Sequence, residues 1–177
     1  MFLAAERRAD MDLSLIGKCL AAGALSTVSM DLGALASRKL GLTAGVTPEL
    51  LGRWFGHLFQ GKLVHRAITE APDVKGGLPL ALASHYLIGL TLTGVFWVLL
   101  RQLPWKLEPG ALVLAAVLFG TLTNLLPWLL MFPAMGFGAF GKDGPPELML
   151  LRSSFVSHLA FGLGLAWTTL ALGRVKS

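Results

Sequence analysis

Four stretches of the chain, residues 13–35, 79–100, 110–132 and 148–172, are apolar almost without interruption. Each supplies the about 20 residues that a helix needs to cross the ~30 Å hydrocarbon core of a bilayer. The pattern predicts an all-α membrane protein in one domain, its four transmembrane helices arranged as two tandem helical hairpins.

The roughly 40 residues between the first two spans are too polar to cross, yet they carry a helical pattern. Thr47-Pro48-Glu49 reads as a helix start: a capping hydroxyl, proline at the first helical position and an acid in the first turn. The following residues place Leu50, Leu51, Trp54, Phe55, Leu58 and Phe59 on one side and Arg53, His57 and Gln60 on the other. Residues 48–60 are therefore expected to form an amphipathic helix at the membrane interface, with Trp54 and its apolar neighbours toward the lipid. Gly52 and Gly56 weaken it as a free helix, so the bundle must hold it. The rest of the loop, with His65-Arg66, reads as ordered or semi-ordered chain. The last loop, 132–147, contains Gly136, Gly138, Gly141 and Gly144 before Pro145-Pro146. Without a preceding strand or phosphate-loop spacing, it reads as a turn between helices rather than an anion cradle.

The second and fourth spans look alike. Residues 84–101 and 157–174, aligned at a constant offset, share Ser84/Ser157, His85/His158, Gly89/Gly162 and Arg101/Arg174 as well as three leucines. Leucine matches between apolar helices carry little weight, so the case rests on Ser-His-x-x-x-Gly and the terminal arginine. A tandem duplication would relate two parallel hairpins by a pseudo-twofold along the membrane normal. The alternative is two helices that each begin with an interfacial histidine.

Composition agrees with the apolar pattern: 54% of residues are hydrophobic and 14% charged, outside the range of ordinary soluble domains. The net charge of +5 comes without basic runs interleaved with aromatics. It points to anionic lipid headgroups and not to nucleic acid. Seven basic residues fall on the side of the termini and eight on the other, so their count does not orient the bundle. Arg7 and Arg8 ahead of the first span favour cytoplasmic termini. They also permit a secretory signal ending at Ala34-Leu35-Ala36, a reading that Asp31 inside the apolar stretch opposes. Met11 offers a second translation start, which would make residues 1–10 an optional tail. Cys19 lies alone within a span and carries no redox information.

The candidate chemistry lies in polar residues that lipid should exclude. Helical spacing aligns His85 with Gly89 and Thr93, His158 with Ser154 and Gly162, and Asp31 with Gly23 and Thr27. Each ionisable group thus stands on a face of small residues, the kind that packs against other helices in a membrane. The hairpin connections bring Asp31, His85 and His158 toward the same side, several residues inside their spans. Burying an ionisable group costs several kcal/mol unless it is paired, so a buried polar cluster is expected. Its members are Asp31, His85 and His158, with Arg152 as counter-ion and Asn124 adding a hydrogen bond.

Three uses of such a cluster remain open: a network that locks packing, a path for a proton, ion or small polar solute, and a His-ligated haem or divalent metal. No CxxCH, HExxH or paired-carboxylate motif supports the third, and no cofactor is predicted. Ser84 and Ser157 beside the histidines are not a hydrolase signature, because adjacent residues on a helix point about 100° apart.

Taken together, the motifs resemble an uncharacterised bacterial family of small four-span inner-membrane proteins, a domain of unknown function. The resemblance rests on Met30-Asp31, Gly52-Arg53-Trp54-x-Gly56-His57, His65-Arg66, His85-Tyr86-x-x-Gly89, Pro127-Trp128, Pro133-x-Met135-Gly136-x-Gly138, Arg152 and His158-x-x-Phe161-Gly162. It covers most of residues 12–172. It implies a multi-pass bundle in the bacterial inner membrane and adds Arg53, His57, His65 and Arg66 to the polar groups of interest, but it transfers no chemistry. The sequence is thus read as a non-catalytic accessory or assembly component, not an enzyme, that acts as a homo-oligomer or within a larger membrane complex. The alternatives are a small oligomeric transporter or proton-linked permeation protein using Asp31, His85 and His158, and a haem or metal subunit.

Overall fold

The computed structural model describes residues 2–172, with side chains from Ser14 onward. Arg174 of the internal repeat, Lys176 and the side chains of Arg7 and Arg8 lie outside the described residues. The described chain is helical without strands: α1 (Phe2–Lys39), α2 (Pro48–Phe59), α3 (Gly77–Gln102), α4 (Pro109–Leu122), α5 (Phe132–Met135) and α6 (Leu150–Ala171), joined in places by short 3₁₀ turns. Four segments are long and apolar enough to cross a membrane: Ser14–Lys39, Gly77–Gln102, Pro109–Met135 and Pro146–Ala171.

The third span is not one uninterrupted α-helix. Pro127 has no N–H to give to the carbonyl a turn earlier. The α-helix stops at Leu122, and a π-helical turn over Pro127–Met131, with the N–H of Phe132 reaching the carbonyl of Pro127, carries the chain on into α5.

The helices pack in the order α3, α1, α6, α4. Small residues let their backbones approach, the usual device where lipid gives no hydrophobic drive to association. On α1, Gly23 faces Leu90 and Thr27 faces Gly89 of α3. A different strip of α1 meets α6, where Ser26 Oγ is 3.2 Å from Thr168 Oγ1 and Ser29 Oγ donates to the carbonyl of Ala160 at 2.9 Å. Gly120 of α4 abuts Gly162 of α6 so closely that a Cβ at Gly120 would lie 2.5 Å from the Gly162 Cα. All three crossings are antiparallel, since residues later in one helix meet residues earlier in the other. α3 and α4 meet less extensively, with the rings of Phe96 and Phe119 5.2 Å apart.

Two apolar cores lie toward opposite ends of the bundle along its helix axes. One, toward the chain termini, contains Ala22, Phe96, Trp97, Leu112, Ala116, Phe161 and Leu165. The other joins the two long loops: Trp54 and Phe55 of α2, Ile68, Phe132 and Met135 of α5, Phe137 and Leu150. The loops are therefore a packed cap. Backbone bonds tie it together, from His65 N–H to the Ala134 carbonyl at 2.8 Å and from Gly45 N–H to the Leu148 carbonyl at 2.7 Å.

Within the cap, Thr47 caps α2 and Pro48 opens it. Gly52 and Gly56 have a packing reason: a Cβ at Gly52 would collide with the Gly77 carbonyl, and one at Gly56 with Val74. The buried face of α2 is accordingly Gly52, Trp54, Phe55 and Gly56. Trp54 and Phe55, expected toward the lipid, pack instead against Ile68, Phe132 and Met135 within the cap, because the two loops fold over them, and of the apolar side only Phe59 is exposed. The Trp54 indole N–H finds the carbonyl of Leu63 at 3.0 Å.

Candidate functional site

Between the two cores the helices carry a layer of polar side chains. At the α1–α3 crossing the row Gly23, Thr27, Asp31 on α1 runs against Leu90, Gly89 and His85 on α3. The contact at Thr27 and Gly89 is close enough that the next turn brings polar groups together. Asp31 Oδ1 lies 2.9 Å from His85 Nε2, and Tyr86 Oη donates to Oδ2 at 3.0 Å. One carboxylate thus holds two neighbouring residues of α3, the His85 and Tyr86 rings standing nearly perpendicular. Asp31 lies eight residues from the end of its span and His85 eight from the start of its own, about 12 Å along each helix axis.

The expected cluster differs from this in three respects. First, it is not buried: the Asp31 side chain is 46% exposed and that of His85 24%. The pair closes the flank of the α1–α3 seam, because the strip of α1 that faces α6 is the one carrying Ser26 and Ser29.

Second, His158 and Asn124 hydrogen-bond elsewhere. Residues two apart on a helix point about 200° from each other. Ala160, Gly164 and Thr168 of α6 face α1, which turns Ser154, His158 and Gly162 toward α4. There His158 Nδ1 is 2.7 Å from Thr123 Oγ1, which itself donates to the Gly120 carbonyl at 2.6 Å. Asn124, fully buried, accepts from Ser154 Oγ at 2.8 Å and donates to the Thr121 carbonyl, and the Trp128 indole N–H donates to the same Ser154 oxygen at 2.6 Å. The groups expected in one cluster therefore fall into two sets of hydrogen bonds, one between α1 and α3 and one between α6 and the end of α4. In each, the histidine of the second helix engages the first helix of its own hairpin.

Third, Arg152 is exposed and is no counter-ion to Asp31. It sits at the start of α6, where that helix leaves the cap, and lines an open groove there.

Arg53, His57 and His65 come together in the cap, apart from these bonds. The Arg53 guanidinium donates to the carbonyls of Ile68 (3.1 Å) and Thr69 (2.9 Å) and pairs with Asp73. The His57 ring lies 5.0 Å from that of His65, and its Nε2 is 3.0 Å from the Pro72 carbonyl. His65 is only 4% exposed and its Nε2 has no hydrogen-bond partner. Burial lowers its pKa below the usual histidine range, with the positive charge of Lys62 and the neighbouring His57 acting in the same direction. Arg66, expected among these buried groups, is exposed; its backbone carbonyl is what abuts Gly136.

Sequence reasoning missed Tyr86 and Thr123. Tyr86 was visible as the one tyrosine of the chain, next to a histidine already singled out. Thr123 had no signal beyond being a hydroxyl in an apolar run. No group of three or more His, Cys, Asp or Glu among the described residues is placed to hold a metal ion.

The chain belongs to a family described as "Protein of unknown function (DUF2938)", whose model matches residues 20–172. No curated protein and no solved structure matches it. The matched segment contains every residue of the polar layer and the cap.

Proposed function

We propose, starting from that family membership, that the protein is a non-catalytic component of a bacterial inner-membrane assembly, and that the Asp31–His85–Tyr86 site is where another transmembrane helix docks. The observation that carries this reading is the exposure of Asp31. A carboxylate within an apolar span and open on its flank is costly wherever acyl chains reach it. A partner helix presenting a hydroxyl, amide or cation would satisfy the remaining lone pairs and seal the seam. The cap favours the same reading, since α2 and the loops pack into one continuous surface at one end of the bundle.

The parallel between the hairpins belongs to this reading too. Gly89 packs on Thr27 and Gly162 on Gly120, and His85 and His158 each bond a residue of the preceding helix, through different ring nitrogens. A duplicated hairpin whose two copies have since diverged in register would account for the likeness. The first copy then keeps its polar site open for a partner, while the second has closed around Thr123 and Ser154.

The test is a photoreactive side chain at Leu35, one turn along α1 from Asp31, in native membranes. It should give a discrete protein adduct that Asp31→Leu abolishes, while the same probe at the exposed Leu114 of α4 gives none. Lipid adducts alone at Leu35 would overturn the assembly role.

A second reading, proton-linked permeation, draws on the open chain of Asp31, His85 and Tyr86, with His158 no longer part of the path. It requires that proton flux in liposomes fall when Asp31 becomes Asn; unchanged flux removes it. Joint ligation of a haem by His85 and His158 finds no support in their placement, since His85 is turned to Asp31 on α1 and His158 to Thr123 at the end of α4.

A further inference from the structure

A groove opens at the cap end of the bundle, between the start of α6 and the turns before it. It encloses about 880 Å³, within the range of small-molecule pockets. Trp128, Phe140, Leu151 and Phe155 supply apolar wall, and Lys142 and Arg152 supply positive charge, with no carboxylate among the lining residues. Both cations are exposed, and neither makes a salt bridge among the described residues.

The groove is built by the chain at some conformational cost. Phe140 (φ 60°) and Met149 (φ 46°) are the two non-glycine residues with positive φ among the described residues, and both line it. Such backbone persists where the surroundings over-determine it. Here the Phe140 ring rests 5.7 Å from that of Trp128, which Ser154 holds through the indole N–H.

Position and charge identify the occupant. Trp128, Arg152 and Phe155 belong to segments apolar enough to cross a membrane, while Lys142 lies in the cap, so the groove joins two of these segments to the loops at the cap end. Leu151 and Phe155 are nearly half exposed and continue the apolar wall outward. A free anion would use the two cations and leave that wall idle. Basic pockets beside transmembrane helices are suited to anionic headgroups.

We propose that this groove binds one anionic phospholipid, its phosphate held between Lys142 and Arg152 and its acyl chains lying along Leu151 and Phe155. The site is separate from the Asp31 flank and does not depend on the role assigned to it.

The experiment uses the full-length protein reconstituted in phosphatidylcholine vesicles with spin-labelled phosphatidylglycerol or phosphatidylcholine as probe. Electron paramagnetic resonance reads the protein-bound fraction of each. The natural protein should prefer phosphatidylglycerol, and Lys142→Gln and Arg152→Gln should each lower that preference by up to about fivefold, about 1 kcal/mol per basic residue. Circular dichroism and thermal melting of both variants should be unchanged. Removing two charges outside the groove, Lys62→Gln with Lys75→Gln, should leave the preference nearly intact. An equal loss in that control pair, or no preference in the natural protein, overturns the proposal. Displacement of the labelled lipid by inorganic phosphate alone would also overturn it, by making the ligand a free anion.

Discussion

Asp31 and His85, separated by 54 positions in the chain, meet at 2.9 Å across the α1–α3 seam, and the Tyr86 hydroxyl holds the other oxygen of the same carboxylate. The bond spans the first hairpin from one helix to the other on an open flank. Asparagine keeps the size of the side chain and can still hydrogen-bond His85 and Tyr86, and a hydrogen bond between uncharged groups contributes about 0.5–1.5 kcal/mol net. Asp31→Asn should therefore lower stability in detergent by no more than about 1 kcal/mol, measured by reversible unfolding. If Asp31 serves assembly, the same variant should weaken the Leu35 adduct far more than it weakens the fold. A loss of several kcal/mol would mean that the carboxylate is a structural keystone and the docking role is unnecessary.

The glycines separate by position. A Cβ at Gly162 would lie 2.9 Å from the Val117 Cα and 3.0 Å from the Ala116 carbonyl, backbone atoms that cannot turn aside. Gly162→Ala should cost about 1–3 kcal/mol, as overpacking does. At Gly17 nothing lies within 4 Å of the new methyl group, so Gly17→Ala should be neutral or stabilise by up to about 1 kcal/mol through helix propensity. Thermal melting of the two variants side by side checks the opposite signs.

In the second hairpin, Thr123→Val keeps the shape of the side chain and removes its hydroxyl. His158, 9% exposed, would be left with an unpaired Nδ1, at a cost of about 1–3 kcal/mol. His158→Leu combined with Thr123→Val removes both partners and should recover part of that loss. A double variant as unstable as the sum of the singles would show that the two residues do not act as a pair.

His65 sets a pH dependence in the cap. Its pKa is lowered from an ordinary 6.5 by burial first, then by Lys62 and His57. The unfolded cap takes up a proton below about 6.5 while the folded cap resists, so stability is full above that value and falls as pH drops through the window below it. Trp54 fluorescence should report loosening of the cap on acidification, and His65→Gln should flatten that response. An unchanged acid profile in the variant would place the titration on another group.

What the chain determines alone is everything local. Residue-by-residue hydropathy sets the four spans, because twenty apolar side chains in a row have one stable home. Thr47-Pro48-Glu49 starts α2 through groups that act on their nearest neighbours. The small-residue rows containing Asp31, His85 and His158 follow from helical spacing. What the sequence leaves open is which row meets which. Asp31, His85 and His158 share an end of the bundle by topology, yet α6 presents two small-residue strips, Ser154-His158-Gly162 and Ala160-Gly164-Thr168, and either strip fits against a helix.

Only the packed bundle selected the second strip for α1. That choice sent His158 to Thr123, freed Arg152 to the groove and left Asp31 with His85 on an open flank. The break at Leu122 is intermediate: Pro127 announces it, but its form as a π-helical turn depends on where the neighbouring carbonyls can find donors. The cap is the clearest case of tertiary decision. Gly52 and Gly56 read as weak points in sequence and Gly136 as part of a turn, and all three prove to be places where another backbone or side chain arrives, a requirement set by residues distant in the chain and therefore invisible to any local pattern.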